Sequence, residues 1–266
     1  MLVSRGFLTN TLGLIYNSIF IIESKSSWLS KAFECHSSYS AVFWILSGAE
    51  WRPRNGQTAL QLAVNRNWRP VVELLVKRGA DCNCRNRSPE QEETVLHQAI
   101  REGADIQIVR LLIGACDVNA TDSVEKQTSL HLAAQLNRPD LAELLVKEGR
   151  ADLEAQDLIG YRPLHYAVKS PKLVSLFIAL GVDISAMSVT GMTPLHLAVI
   201  ENQVDTVRIL VKAGAKVGTA HDIYGHTPLY YAARHADTSG LHDYEMRDLL
   251  ALYASVDEYF LDMPSE

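Results

Sequence analysis

A six-residue pattern occurs six times along the chain and constrains its fold more than any other feature of the sequence. Each copy reads Thr-Pro-Leu-His-x-Ala or a close variant, and the copies begin at residues 58, 94, 128, 162, 193 and 227. Successive copies are therefore separated by 36, 34, 34, 31 and 34 residues. Self-similarity at such a period predicts a stack of small units, each of which buries its apolar face only against its neighbours.

Each unit is predicted to contain two short helices. The first threonine can cap free N–H groups, and the proline after it suits the first helical turn, where a missing N–H costs nothing. The leucine and the alanine of the pattern lie on one helical face. A second apolar block follows, such as Leu141-Ala-Glu-Leu-Leu145, and a glycine after it can adopt a left-handed C-terminal turn. The five glycines at this position are Gly79, Gly114, Gly149, Gly181 and Gly214.

Thr-Pro-Leu-His-x-Ala at a period of about 33 residues resembles the ankyrin-repeat family. The resemblance implies an all-α fold, an α-solenoid of stacked antiparallel helix pairs with projecting hairpin-like loops. The predicted solenoid spans residues 48–257, after a helical N-terminal cap with a degenerate repeat (1–47) and before an acidic tail (258–266). An alternative for the first 47 residues is a docking arm for a partner. The six repeats are expected near residues 55–87, 88–124, 125–157, 158–188, 189–222 and 223–257.

Three repeats depart from the pattern. The second follows an insertion, Ser88–Glu93, which predicts a longer, acidic loop. The fourth carries Arg162 in place of the capping threonine, which predicts a less well capped first helix. The sixth has additional residues between its helices, His235–Asp243, and is interpreted as a C-terminal cap because a terminal repeat must present one face to water.

Histidine recurs at one place in four consecutive repeats, which favours a structural role over catalysis. The resemblance implies that each imidazole bridges backbone groups of adjoining loops, and a buried imidazole needs such partners. The residues assigned to the repeat framework are Thr58, Thr94, Thr128, Thr193, Thr227, His97, His131, His165 and His196.

No sequence motif for catalysis or cofactor binding accompanies the repeats. The chain has no Walker A string, no Gly-x-Ser-x-Gly elbow and no His-Glu-x-x-His helix. Four cysteines in 266 residues are too few for a disulfide framework, and the histidines of the sixth repeat match no zinc spacing. We therefore expect no catalytic residue, no metal and no cofactor, with an enzyme or a metal-binding protein as a remote alternative.

Side chains outside the framework can contact a partner, and the resemblance implies that the first helices and the loops form the binding surface. Tryptophan, tyrosine and arginine are the residues most enriched at binding hot spots. The candidate partner-binding residues are Trp51, Arg52, Trp68, Arg69, Arg85, Arg87, Tyr161, Tyr166, Met187, Tyr224, Tyr231 and Arg234.

These features predict a non-catalytic protein–protein interaction scaffold, an adaptor or regulatory subunit, with a transcription coregulator as the preferred subtype. A net charge of −6 without a basic cluster argues against direct binding to nucleic acid. The low cysteine content favours a reducing compartment, the cytoplasm, the nucleus or both. The alternative is a membrane-associated protein anchored by residues 7–22, a segment short of the roughly 20 apolar residues that a bilayer requires. The sequence leaves the partner's identity and the oligomeric state open.

Overall fold

The computed structural model describes residues 41–42, 58–85, 92–239 and 244–261. Contacts divide the chain into two compact units, residues 1–81 and 82–266. In the first unit Ala41 and Val42 are helical. Helices α1 (Ala59–Asn65) and α2 (Arg69–Lys77) of the same unit pack against each other. The rest of the predicted N-terminal cap lies outside the described residues.

The second unit is built from helix pairs. Its helices are α3 (Val95–Arg101), α4 (Ile106–Ile113), α5 (Ser129–Gln135), α6 (Pro139–Lys147), α7 (Pro163–Tyr166) with a 3₁₀ turn (Ala167–Lys169), α8 (Pro171–Ala179), α9 (Pro194–Ile200), α10 (Val204–Lys212), α11 (Pro228–Ser239) and α12 (Tyr244–Leu261). The odd-numbered helices contact one another in series, and so do the even-numbered ones. The unit therefore consists of two layers of helices.

The leucine and the alanine of the repeated pattern form the core of these layers. In the first five repeats no leucine of the pattern is more than 1% exposed: Leu60, Leu96, Leu130, Leu164 and Leu195. The leucine of the sixth repeat, Leu229, is only partly buried. Helix α11, which carries it, is the last of the described first helices in the series.

The prediction of a left-handed residue after each second helix holds for three of the five glycines. These are Gly79 (φ 74°), Gly181 (φ 85°) and Gly214 (φ 97°). It is wrong for Gly114, whose φ is −71°, because α4 ends early and the Cys116 N–H donates to the Leu112 carbonyl at 2.7 Å. It is also wrong for Gly149, since Arg150 adopts the left-handed conformation instead, with φ 54°.

The short fourth repeat loses its turn between the two helices. In the first, third and fifth repeats a left-handed asparagine, such as Asn137 (φ 51°), separates them, and in the second repeat Gly103 (φ 69°) does so. Here α7 has four residues, and after the 3₁₀ turn Ser170 caps α8 directly, its Oγ accepting from the Leu173 N–H at 3.4 Å. The guanidinium of Arg162 has no acceptor atom, so it cannot cap the N–H groups of α7 as a threonine hydroxyl does. The hydrogen bond from the backbone N–H of Arg162 to His165 Nδ1, at 3.0 Å, is still present.

The sixth repeat differs from the sequence-based prediction at both of its helices. Residues 235–239, expected to lie in a loop, continue α11 to Ser239, and residues 240–243 lie outside the described part. Helix α12 has 18 residues and reaches Leu261, which is beyond the predicted solenoid boundary at Asp257 and inside the predicted acidic tail.

Candidate functional site

One side chain closes each hairpin loop before helices α5, α7, α9 and α11. Asp157 Oδ1 accepts from the N–H groups two and four residues ahead at 3.0 and 2.8 Å, and Asp222 Oδ1 does the same at 2.8 Å for both. Ser188 Oγ accepts from the same two positions at 3.2 and 3.1 Å. Asp122 Oδ1 accepts from N–H groups three and five residues ahead, at 2.9 and 3.3 Å. Short polar side chains of this kind hold the backbone of a turn in one conformation.

Backbone hydrogen bonds join each of these loops to the one before it. They run from the N–H of Ser123 to the carbonyl of Glu92 (3.1 Å), Leu158 to Glu125 (2.8 Å), Val189 to Ile159 (3.0 Å) and Ile223 to Thr190 (3.0 Å). These four loops therefore form one hydrogen-bonded row, in which the order and spacing of the tip side chains are set.

The four repeated histidines connect adjacent repeats. Nε2 of His97, His131, His165 and His196 lies 3.0, 3.0, 3.1 and 3.2 Å from the carbonyl oxygens of Gln127, Tyr161, Met192 and His226. Because a carbonyl oxygen only accepts, Nε2 carries the proton and Nδ1 is an acceptor. In the three repeats that begin with threonine, Nδ1 accepts from the threonine hydroxyl, at 2.7 Å in the case of Thr94. His165 Nδ1 accepts from the backbone N–H of Arg162 instead.

Burial keeps these imidazoles neutral. It lowers the pKa of His97 and of His165 to about 4, and it also lowers the pKa of His131 and His196. Each ring has partners on both of its nitrogens, which leaves neither nitrogen available to a substrate. Where the repeat lacks histidine, Thr58 Oγ1 still accepts a capping bond from the Gln61 N–H at 3.2 Å.

Two tyrosines predicted to bind a partner use their hydroxyl groups inside the protein. Tyr166 donates to Asp157 Oδ2, and Tyr231 donates to Asp222 Oδ2, each at 2.6 Å. Burial and this hydrogen bond raise the pKa of Tyr166, and the hydrogen bond to Asp222 raises the pKa of Tyr231 to about 12. These two residues therefore have no free hydroxyl group to offer at the surface.

Large apolar side chains project from the row of loops. Six of them, which we call the tip surface, are between 49% and 75% exposed: Leu158, Ile159, Met187, Val189, Ile223 and Tyr224. The loops that carry them, residues 157–161, 187–192 and 222–226, contain only two Asp, Glu, Lys or Arg residues. Those two are the loop-closing Asp157 and Asp222, which are 8% and 7% exposed. The outer side of three consecutive loops is thus apolar and carries no formal charge.

The remaining candidate residues do not all lie with the tip surface. Trp68 and Arg69 are at the start of α2, in the turn between the helices of the first repeat. Arg85 is exposed and forms an isolated bridge with Thr94, and Arg234 is exposed on α11. The ring of Tyr161 stacks on His165, at a centroid distance of 5.0 Å. Three candidates lie outside the described residues: Trp51, Arg52 and Arg87.

A cavity of about 170 Å³ lies beside the first loop of the row. Its lining residues are Glu93, Arg101, Asp122, Val124, Glu125, Gln127, Leu132 and Gln135. Glu93, expected in an acidic loop, is instead 5% exposed and pairs with Arg101, its Oε2 lying 2.9 Å from Nε. Burial raises the pKa of this carboxyl. The cavity contains three carboxylates and one cation, and that cation is already bound to Glu93.

Sequence reasoning missed several parts of this arrangement. Val124 and Ile159 are exposed on the loops, although neither belongs to the candidate set. The loop-closing role of Asp157 and Asp222 had a signal, because each lies five residues before the start of the repeated pattern. No signal in the sequence indicated that Glu93 is buried, since its position depends on where Arg101 lies in the folded chain.

Two further properties concern only the described part of the chain. It contains no group of three or more His, Cys, Asp or Glu residues placed to hold a metal ion. None of its helices has the length and apolarity needed to cross a membrane. The segment 7–22, considered as an anchor, lies outside it.

Comparison with known proteins agrees with this architecture. A family model described as ankyrin repeats (3 copies) matches residues 29–122, 96–188 and 164–257. The structure is similar to the crystal structure of the ankyrin repeat domain of Bcl-3, which is described as a unique member of the IkappaB protein family. The similar part covers 79% of this chain and 95% of the Bcl-3 chain. The TM-score is 0.67 and the sequence identity 27%. The sequence-based predictions of family and of fold class are therefore confirmed.

Three curated relatives extend the comparison. A Danio rerio protein named as a palmitoyltransferase, ZDHHC13, is 28% identical over 78% of this chain, and inversin of Canis lupus familiaris is 36% identical over 50%. The B-cell lymphoma 3 protein homolog of Mus musculus is 29% identical over 58%. The matched parts make up 32%, 12% and 36% of those proteins, so the chain spans between about an eighth and about a third of their lengths.

Proposed function

Since the chain belongs to the ankyrin-repeat family, we propose that it is a non-catalytic scaffold that binds a protein partner and acts as an adaptor or regulatory subunit. The ankyrin-repeat fold is generally non-catalytic and mediates binding to protein partners. Neither a metal nor a cofactor takes part in this function, and direct contact with nucleic acid is not part of it.

The tip surface is the observation that carries this proposal. Large contiguous apolar patches are rare on the surface of soluble domains, and where they occur they usually indicate an interaction site. Here the apolar side chains stand on loops whose backbones are hydrogen bonded to one another. A surface that is ordered before binding loses little conformational entropy when the partner arrives, which favours affinity.

Site-specific photo-cross-linking tests the proposal in cells that express the full chain. Benzoylphenylalanine replaces Met187 or Tyr224 on the tip surface, or Lys147 on α6 as a control, whose side chain is 61% exposed. We expect discrete cross-linked partners from the two tip positions and several-fold less from Lys147. Equal yields from all three positions, or no partner from any, would refute the proposed function.

Two finer assignments belong to the same proposal. We propose the cytoplasm, the nucleus or both as its location, and transcription coregulation as its subtype, supported by the similarity to Bcl-3. Recovery of the cross-linked partner from the nuclear fraction, with a DNA-binding protein among the adducts, is the expected result. Adducts formed only with membrane or cytoskeletal proteins would contradict the coregulator subtype.

The alternative is a membrane-associated protein, and the similarity to a protein named as a palmitoyltransferase is the observation that favours it. Fractionation separates the two. The scaffold is expected in the supernatant without detergent, whereas a protein anchored by residues 7–22 stays in the membrane pellet until detergent is added.

A further inference from the structure

The charge of the row of loops differs between the loops that carry the tip surface and the loop that precedes them. The three loops that carry it present no formal charge outside the loop-closing aspartates. The loop that precedes them, residues 122–127, contains exposed Glu125 and Lys126 and borders the cavity with Glu93 and Asp122. Since the Leu158 N–H donates to the Glu125 carbonyl at 2.8 Å, the acidic cavity and the apolar surface are adjacent.

From this juxtaposition we propose that the row of loops binds an extended segment of a partner protein whose apolar side chains cover the tip surface and whose lysine or arginine enters the cavity at Glu93, Asp122 and Glu125. This inference rests on the proposed scaffold function and specifies the chemistry of its partner.

Charge complementarity selects the basic residue at one end of the segment. The cavity contains three carboxylates against Arg101, whose guanidinium is already paired with Glu93 at 2.9 Å. A cation from the partner therefore lowers the electrostatic free energy there, while an acidic side chain would meet like charge. The exposed Val124 at the rim offers an apolar surface to the methylene stem of a lysine or arginine.

The same charges argue for a protein segment rather than a lipid surface. Regions that insert apolar side chains into a membrane interface usually combine them with lysine and arginine, which attract anionic headgroups. Beside the tip surface, the loop 122–127 and the adjoining cavity together supply three carboxylates, Glu93, Asp122 and Glu125, against two cations, Arg101 and Lys126. Net repulsion of anionic lipid is expected at this end of the row.

Selection from a phage-displayed library of random 12-residue peptides against the full chain tests the inference. We expect enriched peptides that contain several apolar or aromatic residues and a lysine or arginine near one end. Fluorescence anisotropy then measures their affinity for three variants. The double variant Val189→Ser/Ile223→Ser is expected to weaken binding by about tenfold or more. The control Leu136→Ser removes a 44% exposed leucine at the end of α5 and is expected to change affinity by less than about twofold.

The variant Glu125→Lys tests the polarity of the segment. It is expected to weaken binding by about fivefold to tenfold, and a peptide whose basic residue is replaced by glutamate is expected to recover much of the loss. All variants change exposed side chains, and an unaltered melting temperature confirms that they fold. Vesicles of phosphatidylcholine and phosphatidylserine serve as the lipid probe and are expected not to bind.

Several outcomes would overturn the inference and leave the proposed scaffold function unaffected. They are the absence of any enriched peptide, enriched peptides with acidic residues in place of the basic one, affinity that is insensitive to the tip variants or to Glu125→Lys, and vesicle binding that the tip variants abolish. The scaffold function is tested separately, because it depends on whether photo-cross-linking at the row of loops captures a cellular partner.

Discussion

Thr206 in helix α10 is the position where a substitution should stabilise the protein. Its side chain is 0% exposed, and its Oγ1 atom has no hydrogen-bond partner. The same place in the preceding second helices is apolar and also 0% exposed, occupied by Val71, Ile108, Leu141 and Leu173. The hydroxyl of Thr206 therefore loses its bond to water on folding and receives nothing in return.

The magnitude follows from two contributions. Burial of an unpaired hydroxyl costs about 1–3 kcal/mol in proteins, and a methyl group in its place adds roughly 0.8 kcal/mol of apolar burial. Valine has the same branched shape as threonine, so Thr206→Val should introduce neither a cavity nor a clash. The free energy of unfolding should rise by about 2–4 kcal/mol, and the melting temperature by roughly 2–4 °C for each kcal/mol.

Urea unfolding of the full chain measures the change, with an unaltered m-value as the check that only stability has moved. Thr193→Val is the matched control, because it makes the same chemical change where the hydroxyl is used. Its Oγ1 lies 2.8 Å from His196 Nδ1 and accepts from the His196 N–H at 3.4 Å. Loss of such a cap should lower stability by about 1–2 kcal/mol. A Thr206→Val midpoint at or below that of the parent would refute the reasoning.

Two further predictions concern pH and one backbone contact. His97 and His165, with pKa lowered to about 4, bind protons in the unfolded chain below pH 6.5 but not in the folded one, so stability is lost as pH falls from 6.5 toward 4. At pH 5 the loss is about 2 kcal/mol for each of them; a urea midpoint unchanged between pH 7.5 and 5 would contradict this. Gly191 (φ 74°) and Gly225 (φ 78°) share a left-handed backbone, but an added Cβ lies 2.8 Å from the His221 carbonyl oxygen only at Gly191. Gly225→Ala should lower the free energy of unfolding by about 1 kcal/mol, and Gly191→Ala should lower it by clearly more. Equal melting temperatures of the two variants would show that the contact at Gly191 relaxes without a loss of stability.

Much of the framework follows from local pattern. The repeated leucine and alanine could be assigned to the core because a helix returns to the same face after three or four residues, and the folded chain buries them. The capping threonines likewise act on N–H groups within three residues of themselves, as Thr58 does with Gln61. A period in the sequence is sufficient for such contacts because both partners belong to one repeat.

The sequence indicated left-handed backbone after the second helices only through five glycines, and three of them adopt it. Arg150 and Lys126 adopt φ values of 54° and 60°, a region that costs a residue with a side chain about 1–2 kcal/mol. Nothing in either residue type indicates this. At Lys126 the hydrogen bonds that close the loop between Asp122 and Gln127 offset this cost.

The sequence by itself determined the repeat, the positions of its core and the residue types available at its surface, since all of these depend on spacing along the chain. The tertiary structure decided which of those residues act together. The hydrogen bond from His97 to the Gln127 carbonyl joins groups of two adjacent repeats, whose positions depend on how those repeats dock. The pairing of Glu93 with Arg101 lies within one repeat and depends on how the chain before α3 folds back along that helix. The adjacency of the tip surface and the acidic cavity depends on the same docking, through the bond between Leu158 and Glu125. Contacts between repeats therefore created the candidate site from side chains that the pattern leaves unassigned.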